Sequence, residues 1–137
     1  MADLLMTRAR DVPLADNGPA RPVDPLPLCG EWVNYNIHAT GIHRMEIDEW
    51  EGTPVVRAFG ACPAGPIDWG EVPGAAFAGG VDDHEAVAFT ACFDLRFAHL
   101  LLAGYLNKRL LVVDAYTTFA DGSGRANYFH RDHFYCP

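Results

Sequence analysis

The chain has 137 residues, of which 50% are apolar and 12% aromatic, and its formal net charge is −8. This length and apolar content fit one folded domain with its own core, and they exclude a largely disordered chain. The acidic excess and the single lysine, Lys108, provide no basic patch, which argues against a nucleic-acid or anionic-membrane partner.

The N-terminal segment is predicted to be an extended arm over residues 1–29. Five prolines lie between Val12 and Pro27, and the segment shows neither helical nor strand periodicity. It lacks the apolar region of about 7–15 residues that a signal peptide needs. The longest apolar runs, such as Leu100–Ala103, are far too short to span a bilayer. We therefore expect a cytoplasmic protein without a membrane span.

From Gly30 to the end of the chain, short β-like segments alternate with turn signals, which predicts one all-β domain over residues 30–137. The connections leave no room for crossover helices, so the strands should form an antiparallel meander. Eight such strands close into an up-and-down barrel with space for one small ligand. The predicted strands are Glu31–Ala39, Ile42–Trp50, Pro54–Cys62, Trp69–Ala78, Ala86–Phe93, His99–Leu106, Leu110–Phe119 and Ala126–Cys136.

One region between the fifth and eighth predicted strands is ambiguous. The stretch "AHLLLAGYLNKRLL" is rich in helix formers. A turn signal at Asn107-Lys108 divides it, however, and an alternating β-branched segment follows. We predict a hairpin here.

The first predicted strand opens with Gly30-x-Trp32-x-Asn34. A Gly-x-Trp pair at the start of an eight-strand meander resembles the calycin superfamily, which includes lipocalins and avidins. The resemblance covers Gly30 to about Cys136 in topology. It implies that Trp32 plugs the closed end of the barrel and that Arg131, near the end of the last strand, lies across it. It also places Asn34 at a ligand-contacting position of avidins.

The cysteines and histidines give no metal-binding spacing. No CxxC pair occurs, and buried free thiols are the simplest interpretation. Pairing of the first and last strands would bring Cys29 close to Cys136, and whether the two form a disulfide stays open. His130 and His133 differ by three, so on a strand they face opposite ways and cannot share a metal. We expect no metal site and no cofactor.

Polar side chains within strands point to a ligand site, because a buried polar group needs a partner or a ligand. On one strand, three such residues would share the face of Trp32. The candidate ligand-binding residues are Asn34, Asn36, His38, Trp69 and His99.

Acid–base chemistry is suggested by two strands. In the second, the charged residues alternate with His43 and should face water, which would turn His43 inward. In the seventh, Asp114 and Tyr116 share one face. If that face is inward, burial should raise the pKa of Asp114 and make it a general base, with Tyr116 as proton donor. The candidate catalytic residues are Asp114, His43 and Tyr116.

Both faces of the seventh strand are apolar. One face would then pack inside the barrel and the other against a second subunit, which predicts a homodimer or a larger homo-oligomer. The main functional hypothesis is a barrel that binds a largely apolar, neutral or weakly cationic small molecule. One alternative is a cyclase, isomerase or lyase acting on a polyketide- or terpenoid-like substrate in the cavity. Another is a structural or assembly subunit.

Overall fold

Eight strands pair antiparallel in sequence order, and the last one closes on the first, in a computed structural model that describes residues 7–14 and 18–137. Part of the predicted arm, residues 1–6 and 15–17, lies outside the described residues. The prediction of an eight-stranded up-and-down barrel is confirmed. The strands are β1 Gly30–Asn34, β2 Ile42–Trp50, β3 Thr53–Gly60, β4 Ile67–Ala78, β5 Ala86–Asp94, β6 Ala98–Asn107, β7 Leu110–Phe119 and β8 Tyr128–Tyr135. In the described part of the chain, no helix is long and apolar enough to cross a membrane.

The ambiguous segment is the hairpin β6–β7, as predicted. Asn107 pairs with Leu110, and the two residues between them, Lys108 and Arg109, have φ values of 50° and 70°. Two successive positive φ values are the mark of the type I′ turn, whose twist matches that of paired strands. Tertiary pairing on both sides therefore overrides the helical propensity of this stretch.

Alternate residues of each strand fill the barrel. Large side chains such as Phe89, Leu102, Leu111 and Phe134 are fully buried there. Gly104 makes room for one of them, because a Cβ at this position would overlap the ring of Phe89. This packing fills the lower part of the barrel, by which we mean the end where the arm leads into β1.

The lower end is closed by the last residues before β1. Asp24 bridges to Glu85, and Pro25 and Leu28 are buried, Leu28 with no exposed surface. A 3₁₀ helix over Leu26–Leu28 carries Leu28 into the core. The side chain of Trp32 is 5% exposed, and its Nε1 donates to the carbonyl oxygen of Leu28 at 2.9 Å. Trp32 thus lies at the closed end, as the resemblance implied.

The arginine expected across Trp32 lies elsewhere. The side chain of Arg131 points to the outside of β8 and donates to Asp114 on β7, at 2.6 and 3.0 Å. The prediction of an Arg131–Trp32 contact was wrong, because the pleat turns Arg131 outward while its neighbours Asp132 and His130 line the interior. All four cysteines are free thiols, including Cys29 and Cys136.

The seam between β1 and β8 is the shortest in the barrel. Only Val33 and Asn34 of β1 pair with β8, opposite Tyr135 and Phe134. One more hydrogen bond, from the amide of Tyr35 to the carbonyl of His133, extends this seam. Beyond it, the segment of β8 from 128 to 132 is paired with β7 alone among the described residues.

The outer wall is polar on one side and apolar on the other. On β2 and β3 it carries Arg44, Glu46 and Arg57, with Arg44 and Glu46 joined at 2.6 Å. On the other side, large apolar side chains are 40–50% exposed: Phe77, Val87, Leu101, Tyr105, Tyr116 and Phe129. Self-association through this apolar wall stays a prediction.

Candidate functional site

The upper end of the barrel holds a cavity of about 520 Å³ that opens to solvent. Its deeper walls are apolar and include Leu100, Val113 and Phe134, while Phe97 and Phe119 lie nearer the mouth. The polar side chains that line it include Thr40, Asp68, Thr117, Arg125, Tyr128, His130 and Asp132. A volume in the range of about 300–1,000 Å³, apolar walls and a few polar groups are typical of small-molecule sites.

A β-bulge on β4 turns Trp69 into the cavity. The pairing of β3 with β4 slips between Arg57 and Phe59, and Gly70 has a φ of 82°, which favours glycine. The ring of Trp69 lies on Gly60, where a Cβ would overlap it, and meets Phe93 edge-on with ring centroids 6.2 Å apart. Trp69 is therefore held as a fixed part of the wall.

Two of the charged groups at the mouth are paired with other protein groups. Asp68 accepts hydrogen bonds from Arg57 and from the amide of Gly70, and these lower its pKa. Arg125 donates to Asp121 at 2.8 Å and lies over the ring of Phe119 at 4.0 Å from its centroid. A ligand that enters therefore passes charges that are already compensated.

Asp121 is the most strongly perturbed of these acids. Hydrogen bonds from the hydroxyl and the backbone amide of Ser123, followed by those from Arg125, lower its pKa to about 2. The turn between β7 and β8 is thus built around a fixed negative charge that anchors Arg125 at the mouth.

The wall formed by β8 carries a histidine and an aspartate two residues apart, both lining the cavity. His130 Nε2 lies 3.0 Å from Asp132 Oδ1. The side chain of Asp132 is only 12% exposed, and that of His130 is 48% exposed. Their neighbours across β7 are Val113 and Ala115, so the pair is a polar patch on an apolar wall.

Of the predicted site residues, only Trp69 lines this cavity. Asn34 is buried, but its groups are occupied: Nδ2 donates to the carbonyl of Ile42 at 2.8 Å, and Oδ1 accepts from the amide of Asn36 at 2.9 Å. Asn34 thus ties the end of β1 to the start of β2. The expected shared face ends at this residue, because β1 stops there.

Asn36 and His38 lie in the loop that follows β1. Both are exposed, and the side chain of Asn36 accepts a hydrogen bond from the amide of His38 at 3.0 Å. Neither lines the cavity. An asparagine that bonds a backbone amide two residues on is a turn former, which explains why the strand does not continue as predicted.

His43 does not point into the barrel. The register of β2 against β3 shifts between Ile42 and Arg44, so His43 is the extra residue of a bulge. Ile42 and Met45 are buried on either side of it, whereas His43 lines an outer groove together with His38. The inward orientation predicted for His43 was wrong, since simple alternation fails at a bulge.

Asp114 and Tyr116 lie on the outer face of β7. Tyr116 is 48% exposed and packs on Phe129, with ring centroids 5.3 Å apart. The hydrogen bonds from Arg131 lower the pKa of Asp114, where inward burial was expected to raise it. These positions remove the basis for the predicted acid–base pair: neither side chain lines the cavity.

His99 also faces outward, from β6. It is exposed, and its Nδ1 lies 3.5 Å from Oδ1 of Asp94. The residues of the site that sequence reasoning missed are therefore His130 and Asp132. Their alternation with Phe134 on β8 was the available signal, since side chains two apart share a face.

The ion pair of Asp114 with Arg131 gives a testable pH dependence. Asp114→Asn is expected to lower the free energy of unfolding by less than about 1 kcal/mol at neutral pH, because water screens the half-exposed Arg131. The folded-state pKa of Asp114 lies below its ordinary value, so the contribution is present above that ordinary value. It is lost as the pH falls through the folded-state value. Urea unfolding of the wild type and of Asp114→Asn, each at neutral and at acid pH, measures this contribution. The same difference in the free energy of unfolding at both pH values would contradict the prediction.

The chain matches no family model, no curated protein and no solved structure in the three comparisons made. The closed eight-stranded barrel is compatible with a calycin-like fold. The likeness to lipocalins and avidins therefore remains one of motif and topology. No group of three metal-ligating side chains is assembled among residues 7–14 and 18–137.

Proposed function

We propose that the protein binds a small, largely apolar molecule in the cavity at the open end of the barrel. The observation that carries the proposal is the cavity itself, about 520 Å³ of open space between Trp69, Leu100 and Phe119 in a barrel that is otherwise filled. Burial of apolar ligand surface against these walls would supply most of the affinity.

The charge arrangement favours a neutral or weakly cationic ligand. Arg125 and Asp68 are each paired with an oppositely charged side chain, and Asp132 lies beside His130. A strongly anionic ligand would have to compete for Arg125 with Asp121. The polar groups near β8 can instead orient a ligand through one or two hydrogen bonds.

Filling the cavity is expected to abolish binding. Ala115 lines the cavity from β7, and Ala115→Phe places a ring in the space that a ligand would occupy. With the neutral fluorophore Nile red as probe, the dissociation constant should rise about tenfold or more. Fluorescence titration of the purified protein measures this change.

A matched variant separates the cavity from the apolar outer wall. Ala75→Phe adds the same ring at an exposed position of β4, outside the barrel, and should leave the affinity for Nile red unchanged. If Ala115→Phe, folded by its circular dichroism, bound Nile red as tightly as the Ala75→Phe protein, the cavity would not be the binding site.

The other hypotheses from the sequence fare differently. Asp114, His43 and Tyr116 do not line the cavity, so any catalysis there must use other residues. An assembly role stays a prediction that the exposed apolar wall supports.

A further inference from the structure

The pair His130–Asp132 is the feature of the cavity that binding alone does not require. An apolar ligand binds through contact with apolar walls and does not need a charged group. The side chain of Asp132, however, is only 12% exposed in a wall of Val113, Ala115 and Phe134, and this burial costs it hydration. Of the six histidines in the chain, only His130 lines the cavity.

We propose that His130 is a general base in the cavity and that Asp132 is its positioning residue. This rests on the proposed binding function, since the substrate would occupy the same space. The carboxylate of Asp132 has only acceptor atoms, so the contact of 3.0 Å requires the proton to be on Nε2 of His130. The other ring nitrogen, Nδ1, then carries the lone pair and can accept a proton.

The position of the pair also suits this role. His99 with Asp94 is the same pair of residue types on the outer wall, at 3.5 Å, with side chains 57% and 69% exposed. His130 and Asp132 are closer together, Asp132 is far less exposed, and both border the cavity. An oriented histidine beside an apolar space is the arrangement that proton transfer needs.

The reaction class that fits is proton transfer at a carbon next to a carbonyl group of a neutral ketone. Nδ1 of His130 takes the proton, and the electrons of the broken C–H bond form the enolate. The imidazolium, stabilised by the charge of Asp132, then returns the proton to the same carbon or to a conjugated carbon. If the imidazolium first exchanges its proton with water, the first outcome leaves a solvent proton on the carbon. The second outcome isomerises the substrate, and neither consumes a co-reactant.

The hydroxyl of Thr117 is a candidate donor to the carbonyl oxygen. Thr117 lines the cavity from β7, where its partner across the strands is Tyr128, one pleat away from His130. A hydroxyl that donates to the developing oxyanion lowers the barrier to enolate formation.

The test uses 2-tetralone, a neutral apolar ketone with an acidic C–H bond, in deuterated buffer. The wild-type protein should accelerate deuterium incorporation beside the carbonyl, followed by NMR. His130→Gln should lower this rate by about 10²–10⁴-fold while Nile red binding is retained. Asp132→Asn should lower kcat by at least about tenfold with KM unchanged, since the amide no longer fixes the proton on Nε2.

The matched control is His133→Gln, on the same strand but facing outward and exposed. The His133→Gln protein should catalyse deuterium incorporation into 2-tetralone at the wild-type rate. If 2-tetralone displaces Nile red and His130→Gln exchanges it as fast as the wild type, the catalytic proposal is overturned and the binding function stands. If 2-tetralone does not displace Nile red, the catalytic proposal is overturned and the binding function still stands on Nile red. If Nile red itself does not bind, the binding function and the catalytic proposal fail together.

Discussion

Replacing Trp32 with alanine is expected to lower the free energy of unfolding by about 3–5 kcal/mol. The indole ring is 5% exposed at the closed end of the barrel, so the substitution removes a large buried surface. It also leaves the carbonyl oxygen of Leu28 without the hydrogen bond from Nε1. Urea or guanidinium unfolding, followed by circular dichroism because a tryptophan is lost, measures the change.

Trp50 provides the control for this experiment. It lies near the same end of the barrel but is 70% exposed, so Trp50→Ala should change the free energy of unfolding by less than about 0.5 kcal/mol. Equal unfolding midpoints for Trp32→Ala and the wild type would show that the ring does not close the barrel.

Leu28→Ala is expected to lower the free energy of unfolding by about 2–5 kcal/mol. Leu28 precedes the first strand, yet its side chain has no exposed surface and belongs to the core cluster. Its loss would leave a void beneath the barrel, between the 3₁₀ helix over Leu26–Leu28 and the strands β2 and β5. Chemical denaturation of the variant gives the value.

The neighbouring Leu26 is the matched control, because it lies in the same 3₁₀ helix but is 66% exposed. Leu26→Ala should stay within about 0.5 kcal/mol of the wild type. If Leu28→Ala also changed the free energy of unfolding by less than about 0.5 kcal/mol, the segment before β1 would not contribute to the core.

The architecture could be predicted because its signals are local and repeated. Alternation in segments such as Leu110–Phe119, with glycine-rich turns at regular spacing, indicates strands, and short connections force antiparallel neighbours. The closing of the lower end by Leu28 could not be predicted in this way. A proline-rich segment has no periodicity, and its docking depends on a complementary surface that forms only once the barrel is closed.

The site was harder to predict because successive side chains of a strand alternate between its two faces, so one inserted residue exchanges the inner and outer sets. One extra residue at His43 reverses inside and outside for part of β2, and the bulge beside Gly70 does the same for β4. On β7 no bulge intervenes, but both faces are apolar, so the sequence does not show which one is inward. The catalytic role predicted for Asp114 depended on this face being inward, and the structure turns it outward.

His130 and Asp132 illustrate the opposite case. Their alternation with the buried Phe134 was readable, yet only the assembled barrel shows that this face borders an open space. The sequence shows that the histidine and the aspartate share a face, but not that a cavity lies beside them.

The short seam between β1 and β8 has a consequence for how the molecule opens. Because the carbonyl of His133 points towards β1, the backbone groups of Phe129 and Arg131 point the same way, past the end of the seam. Their amides lack a ladder partner among the described residues and should exchange with solvent deuterium much faster than amides elsewhere on the strand. We therefore expect local unfolding of the barrel to begin on the strand that carries His130 and Asp132, so that amide exchange on β8 would measure how well ordered this wall of the cavity is.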